Sequence, residues 1–538
     1  MPKLDKTLNN INNTMAIPKT LFAFSFIKES IIYKQSLKKF KKKIYYYIVS
    51  AYLVRMAHKY DKNEYDKNKY QAGLFIFRRD FRVEDNTTLL ALQKVCSKVY
   101  PIFIFTPEQV TDKNKYKSEN AVQFMIECLD DLNDQIKELY TFYGENNEVL
   151  QYLIKKLQID VIAFNYDYSP YALKRDEGIN KLCEKENISL MCHHDYYLHV
   201  PGSILNNSNE PYKKFTPFYT KFISAKHAGA KHAGAKHAGA NHAGAKRHSG
   251  TFASISSFEH FSFRMPLKLA NHKFTSDNPH LLAYGGRKEA LVKLHKAGLA
   301  QKKYGKEHDN LSMATSELSA YIKFGCLSIR EVFHYFKERN NTLLVRQLVW
   351  REFYANILFH FPSVLGHSLR PNYDKLQWIN NPKQIAAWKK GHTGFPVVDA
   401  GMRQLNKTGY MHNRARLIVA SFLVKTLLVD WRIGEQYFAS QLIDYDPASN
   451  NGNWQWISGG GADSQPYFRI FNPWEQAKKH DPDCEYILKW VPELSSLSNK
   501  SILNWDIEYV NYPKIGYFEP IVNYREQKKK VLSMYKKL

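Results

Sequence analysis

No tryptophan occurs in the first 349 residues of this 538-residue chain, although nine follow. Cysteine is sparse as well. The six, at 96, 128, 183, 192, 326 and 484, include no CxxC pair, which argues against a zinc ribbon or a disulfide framework and fits a reducing compartment. Cys192, His193 and His194 adjoin, but a strand end entering a polar loop explains them better than a metal site, and no metal is expected. No apolar run reaches 18 residues, so no membrane-spanning helix is expected. Leu21–Ile27 is followed by Lys28 and Glu29, without the small-residue cleavage site of a secretory signal. The first strand-like run is not followed by GxGxxG, which excludes an ordinary dinucleotide site there.

Acidic residues are outnumbered, 51 against 77 Lys and Arg, for a net charge of +26. Residues 1–70 carry +10 of it and residues 222–250 carry +5, which leaves +11 for the rest. A basic body suits a polyanionic partner, nucleic acid above all, although a well-solvated lysine-rich surface would have the same composition. The length implies two domains plus extensions. Residues 1–71 are expected to be a poorly ordered basic extension: an organelle-targeting segment, a DNA-binding arm or, over residues 1–55, a dispensable stretch ahead of a start at Met56. Otherwise an intracellular protein, nuclear or cytoplasmic, is expected.

Gly73–Arg78 (GLFIFR) and Val99–Phe105 (VYPIFIF) read as strands, with Asn86-Thr87-Thr88 capping a helix between them. Asn120 to about Leu139 and Val149–Leu157 read as helices, Val161–Asn165 as a strand, Tyr171–Glu186 as a helix and Ile188–Cys192 as a strand. This alternation predicts a doubly wound parallel α/β domain over 72–205. A linker over 206–275 contains KHAGA repeated at period five (225–245), a period that fits neither helix nor strand. From 276 to 525 the pattern is helical, and a basic tail is expected over 526–538. The tryptophan-rich half either stacks rings around something planar or forms a large aromatic core.

Six motifs occur in order in this half: LVWREFY (348–354), GFPVVDAGMR (394–403), MHNRAR (411–416), Asp430-Trp431, NNGNWQW (450–456) and PYFRIFNP (466–473). Together with FRRDFR at 77–82 and TPFY at 216–219, they resemble the DNA photolyase/cryptochrome family, especially its class I cyclobutane pyrimidine dimer photolyases. The resemblance covers about 72–220 and 280–500. It implies an N-terminal α/β antenna domain and a C-terminal all-helical domain that holds FAD. It also implies UV-damaged DNA as the partner, a monomer, and a second antenna chromophore, most commonly a folate, near Asn165–Tyr168.

Matched position by position, the resemblance assigns FAD contacts to Tyr304, to Thr315, Ser316, Glu317, Leu318 and Ser319 (TSELS), and to Arg416, Asp444, Tyr445, Asp446 and Asn450. A plain helix N-cap at Thr315 or Ser316 is equally compatible with TSELS. Trp454, Trp431 and Trp378 match an electron-transfer chain. Trp350 and Trp456 match the walls against which a dimer stacks, and His308, Gln347, Asn413, Arg414, Arg469 and Gln476 match DNA-contacting positions. Gln347, Trp350, Asn413, Asn450 and Trp456 are thus the catalytic candidates.

Three positions depart from the class I pattern, the weakest being His308, where the family often has an Arg near the DNA. Gln347 stands where a Glu is usual, and amide chemistry offers hydrogen bonds but no proton. Leu417 replaces a Met, a volume-conserving change. Gln347 is also the residue of (6-4) photolyases, yet their histidine positions hold Asn413 and Leu417 here, so cyclobutane-dimer repair stays ahead. A cryptochrome-type photoreceptor is the other alternative; Asn450 and the absence of a long tail after the helical region speak against it. Cleavage of cyclobutane dimers by electron transfer from excited, reduced FAD to a flipped-out lesion is the expected activity.

Overall fold

The computed structural model describes residues 69–225, 252–300 and 304–538. The N-terminal extension up to residue 68 and the KHAGA repeats from residue 226 lie outside the described residues.

The first part is a five-stranded, all-parallel sheet in the order β3-β2-β1-β4-β5. In chain order it runs β1 (Tyr70–Ile76), α1 (Thr87–Val95), β2 (Cys96–Phe105), α2 (Glu119–Ile136), β3 (Tyr140–Tyr143), α3 (Asn146–Leu157), β4 (Val161–Asn165), α4 (Pro170–Glu186) and β5 (Ser189–His193). Apolar runs such as IFIF in β2 are buried on both faces because crossover helices cover a parallel sheet from both sides. Asn86 caps α1, its side chain accepting from Leu89 N. At Gly73 a Cβ would come within 2.7 Å of Cys96 Sγ and 3.0 Å of Leu92, so glycine lets α1 lie against β1. The expected elements appear with ends shifted by up to about three residues. The four-residue strand β3 was not expected; YTFY is too short to show a period.

The second part is helical. Its principal elements are α5 (Phe215–Ser224), α6 (Arg287–Ala300), α7 (Ser319–Lys323), α8 (Ile329–Glu338), α9 (Thr342–His360), α10 (Pro382–Lys390), α11 (Pro396–Thr408) and α12 (Asn413–Ser421), which runs into a π-helix (Phe422–Thr426). There follow α13 (Trp431–Gln441), α14 (Pro447–Ser458), α15 (Pro473–His480) and, last, α16 (Tyr524–Lys536). The segment expected as a basic tail is therefore mostly helix: Val531 and Tyr535 of α16 are buried against Leu376 and Leu428, which offsets the cost of ordering a lysine-rich segment.

One apolar core is continuous from the sheet into α8 and α9; a second, with Trp388, Trp431, Trp454, Trp474 and Trp505, fills the helical part. The two parts are also pinned by charge. Arg82 and Arg330 bind Asp195 at 2.5 and 2.8 Å, and Arg330 reaches Asp85 at 3.0 Å. Burial would raise the Asp195 carboxyl, but these two guanidiniums hold it well below the usual carboxylate range.

Candidate cofactor and DNA-binding site

Three segments of the helical part line an open cleft. Helix α12 supplies Asn413, Arg416 and Leu417; α13 and the turn after it supply Phe438, Leu442, Asp444 and Tyr445; α14 and its cap supply Asp446, Ser449, Asn450, Asn453 and Trp454. The three- and four-residue spacing places each set on one helix face. Local capping fixes both helices. His412 Nδ1 accepts from Arg414 N at 3.1 Å to start α12, and Asp446 Oδ1 accepts from Ser449 N at 3.0 Å to start α14. The other Asp446 oxygen accepts from Arg79 at 2.9 Å, so the α/β part holds the helix that carries Asn450.

Arg416 and Asp444 form an ion pair at 2.9 Å, and Ser319 Oγ donates to the same Asp444 oxygen at 2.6 Å. Asp444 Oδ1 is buried on the cleft wall without a hydrogen-bond partner. Asn450 donates through Nδ2 to the Glu435 carbonyl at 3.0 Å and to Glu435 Oε1 at 3.1 Å, which leaves its Oδ1 for a bound group. Glu435 is buried, and burial pushes its carboxyl up to about 7, with hydrogen bonds from Asn450 and Tyr116 acting in the opposite direction. Tyr116, from the α/β part, stacks on Tyr445 with ring centroids 6.1 Å apart.

The TSELS segment borders this group. Thr315 Oγ1 lies 3.0 Å from the hydroxyl of Tyr410, whose ring is 5.2 Å from the Arg416 guanidinium. Glu317 adopts a left-handed backbone (φ 52°) and pairs with Lys293. The residue capping α7 is the buried Leu318, with no side-chain bond, so Thr315 and Ser316 do not act as helix caps. Tyr304 is half-buried with its ring 5.0 Å from His308; burial pushes its hydroxyl up to about 12, with Asp309 and Tyr410 adding to the rise.

Trp454 lines the cleft and packs against Phe438 at 4.9 Å and Trp388 at 6.3 Å. Trp431 is buried in the same core, and Trp378 is half-buried at its edge, 6.4 Å from Tyr535. On α9, Trp350 stacks flat on Phe215 at 3.6 Å and lies 5.7 Å from Tyr354, with Gln347 exposed one turn earlier. Arg414 binds Asp309 through Nε at 3.1 Å and Nη2 at 2.5 Å, and His308 Nε2 is 3.5 Å from the same carboxylate. Arg469 is exposed and donates to Gln465 at 2.7 Å, Trp456 is half-buried, and Gln476 Oε1 is buried without a partner. The cleft thus gathers Asn413, Arg416, Asp444, Tyr445, Asp446, Asn450 and Trp454. Gln347, Trp350, Trp456, Arg469 and Gln476 are not part of its lining.

Sequence reasoning missed Tyr116, Asp309, Tyr410, Glu435 and Phe438. Phe438 has the signal of helical spacing from Trp431. Tyr116 has none, because its contact spans more than 300 residues. At the sheet, Asn165 is fully buried, donating to Asp80 at 2.5 Å and Asn86 at 2.8 Å, and Tyr166 and Tyr168 are also buried. A small cleft elsewhere in the α/β part is lined by Arg78, Thr106, Gln109, Asn146 and Arg175. Both arginines bind Asp176 Oδ1, at 2.8 and 2.9 Å, and Arg175 Nη2 has no hydrogen-bond partner.

Comparison with known proteins agrees with this geometry. Residues 344–537 match the family model described as the FAD binding domain of DNA photolyase, and residues 74–234 match that of DNA photolyase. The deoxyribodipyrimidine photo-lyase of Buchnera aphidicola subsp. Baizongia pistaciae is 36% identical over 492 residues, covering 86% of this chain and 98% of that protein. The Escherichia coli enzyme of the same name is 33% identical over 486 residues, covering 85% and 97%. Among solved structures, an archaeal photolyase from Sulfolobus tokodaii with two FAD molecules superposes with a TM-score of 0.75 at 38% identity, over 87% of this chain and all of that one. A class III photolyase from Agrobacterium tumefaciens gives 0.77 at 30%, over 88% and 99%. This chain, with its five-stranded parallel α/β domain and helical FAD-binding domain, belongs to the DNA photolyase family.

Proposed function

We propose that the chain is a light-driven deoxyribodipyrimidine photo-lyase that splits cyclobutane pyrimidine dimers in DNA. The observation that carries this reading is the cleft in which Arg416, Asp444, Asn450 and Trp454 meet, within the segment that matches the family's FAD-binding domain. The residues fit that cofactor. Asp444 Oδ1 offers a buried acceptor, Arg416 a cation beside it, and Asn450 an amide whose other end is committed to Glu435. Bound in reduced form, FAD would supply, on absorbing light, the electron that opens the cyclobutane ring and would take it back once the ring is split, so no net oxidant or reductant is consumed.

The chain's own residues bind, orient and exclude water. Tyr304 and Thr315–Ser319 hold the cofactor from the side of α7, and Arg416, Asp444, Tyr445, Asp446 and Asn450 hold it from the cleft wall. Trp454, Trp431 and Trp378 form a route for electrons between surface and cleft, since Trp378 is half-exposed and the other two are buried. Trp350, backed by Phe215, and Trp456 present rings to the flipped dimer, and Gln347 and Asn413 hydrogen-bond its bases. His308, Arg414, Arg469 and Gln476 contact the flanking backbone, which suits a lesion without a fixed sequence context. Among the described residues no histidine lines the cleft, and burial pushes the nearest one in sequence, His412, down to about 4 and so keeps it neutral, which disfavours a (6-4) activity that needs a proton donor.

A second chromophore, a folate by family habit, is proposed for the α/β domain. The cleft with two arginines on one carboxylate suits an anionic ligand, and the Sulfolobus relative holds a second FAD. Mass spectrometry of the extracted chromophores identifies both ligands. Dark binding tests the main reading: preference for irradiated over undamaged duplex supports repair, and equal affinity turns the reading toward a photoreceptor.

A further inference from the structure

Lys425 is only 3% exposed, an uncommon place for a lysine. It lies in the π-helix Phe422–Thr426, where Leu427 N bonds back to Phe422 O at 2.9 Å. The extra residue in the turn alters the register of α12, a feature that often marks functional sites. The Lys425 ammonium donates to the carbonyl of Arg469 at 2.8 Å. Burial alone pushes its pKa down to about 8, with no carboxylate acting on it. One hydrogen bond to a carbonyl returns little of the cost of burying an ammonium, so the lysine contributes little to overall stability at this position.

The partner of Lys425 explains its place. The Gln465–Phe471 loop is clamped at three points. The Tyr467 ring stacks on Tyr535 at 5.8 Å and 6°, Lys425 binds the Arg469 carbonyl, and Phe471 N donates to Ser421 Oγ at 3.4 Å. Tyr535 is itself fixed, donating to the Ser458 carbonyl at 2.7 Å. Between these anchors the loop turns Phe468, 61% exposed, and the Arg469 side chain to solvent. An exposed cation on a backbone tied down from beneath is preorganised for a phosphate.

We propose that Lys425 is a positioning residue for DNA binding: through the Arg469 carbonyl it fixes the backbone from which Arg469 meets a DNA phosphate. This rests on the reading of Arg469 as a DNA contact. The test is Lys425→Met in the full chain, followed by hydrogen exchange and by fluorescence anisotropy on a duplex carrying one cyclobutane dimer. Amide protection at 467–471 falls about tenfold while the melting temperature stays level or rises, a combination that a merely structural lysine would not give. The Kd for the lesion duplex rises about tenfold and the salt slope drops by about one. In an Arg469→Ala background, Lys425→Met adds little further loss, because both act through one contact.

Unchanged loop protection, wild-type affinity or full additivity with Arg469→Ala would each overturn the proposal. If Lys425→Met does not fold, Ser421→Ala removes the neighbouring anchor: a smaller change in the same direction supports the clamp, and none refutes it. Wild-type binding by Arg469→Ala alone would instead sink the DNA-contact reading, while the exchange data still judge the clamp.

Discussion

Replacing Asp444 with Ala should separate the stability of the helical domain from its hold on the cofactor. The Asp444 side chain is 4% exposed and that of Arg416 25%. Removing one member of a largely buried pair costs about 3–5 kcal/mol because the remaining charge is stranded. Arg416 keeps a bond from Nε to the Met411 carbonyl at 2.9 Å and some access to water, so the lower end applies. The hydroxyl of Ser319 loses its acceptor as well, which adds about 1 kcal/mol. A total of about 4 kcal/mol lowers the melting temperature of a domain of this size by about 10 °C, at about 2–4 °C per kcal/mol. The double change Arg416→Met with Asp444→Leu strands no charge and should regain most of that loss, yet still release flavin. Calorimetry and the flavin-to-protein absorbance ratio measure the two effects. Melting of Asp444→Ala within a degree or two of wild type, or retention of flavin by the double variant, would refute the reasoning.

Three further outcomes are expected. Trp378→Phe should abolish photoreduction of the oxidised protein, seen by the loss of flavin bleaching under blue light, while enzyme reduced with dithionite repairs at the normal rate. Gln347→Glu should raise cyclobutane-dimer repair several-fold, since hydrogen bonds to a charged acceptor are about twice as strong as neutral ones; a fall would mean that the amide is the better partner. Glu435, with its carboxyl raised to about 7, keeps its proton in the folded protein where the unfolded chain has already lost it. It therefore costs stability as pH rises through about 4.5 to 7, by about 3 kcal/mol, and Glu435→Gln should lack that decline. Urea midpoints of both proteins at pH 5 and pH 8 decide it, and parallel pH dependence would contradict it.

The α/β part was legible because its signals are local: apolar strands such as IFIF, Asn86 as a cap, and alternation with amphipathic helices. β3 escaped because four residues carry no period, and α16 because five basic residues in 13 conceal an inward face formed by Gln527, Val531 and Tyr535. At the site, motif matching drew together residues that the cleft also gathers, including Arg416, Asp444, Asn450 and Trp454. It could not find their supports. Glu435 behind Asn450, Asp309 holding Arg414 and Tyr116 stacked on Tyr445 are tertiary contacts, set by how helices pack rather than by any spacing along the chain.

Blue-light repair by the flavin-reduced protein, on one oligonucleotide with a cyclobutane thymine dimer and another with a (6-4) product, tests the central claim most directly. Restoration of the first alone is the predicted result, with Gln347 tolerated in place of Glu. Restoration of the second alone, or of neither while the flavin still photoreduces, would contradict it.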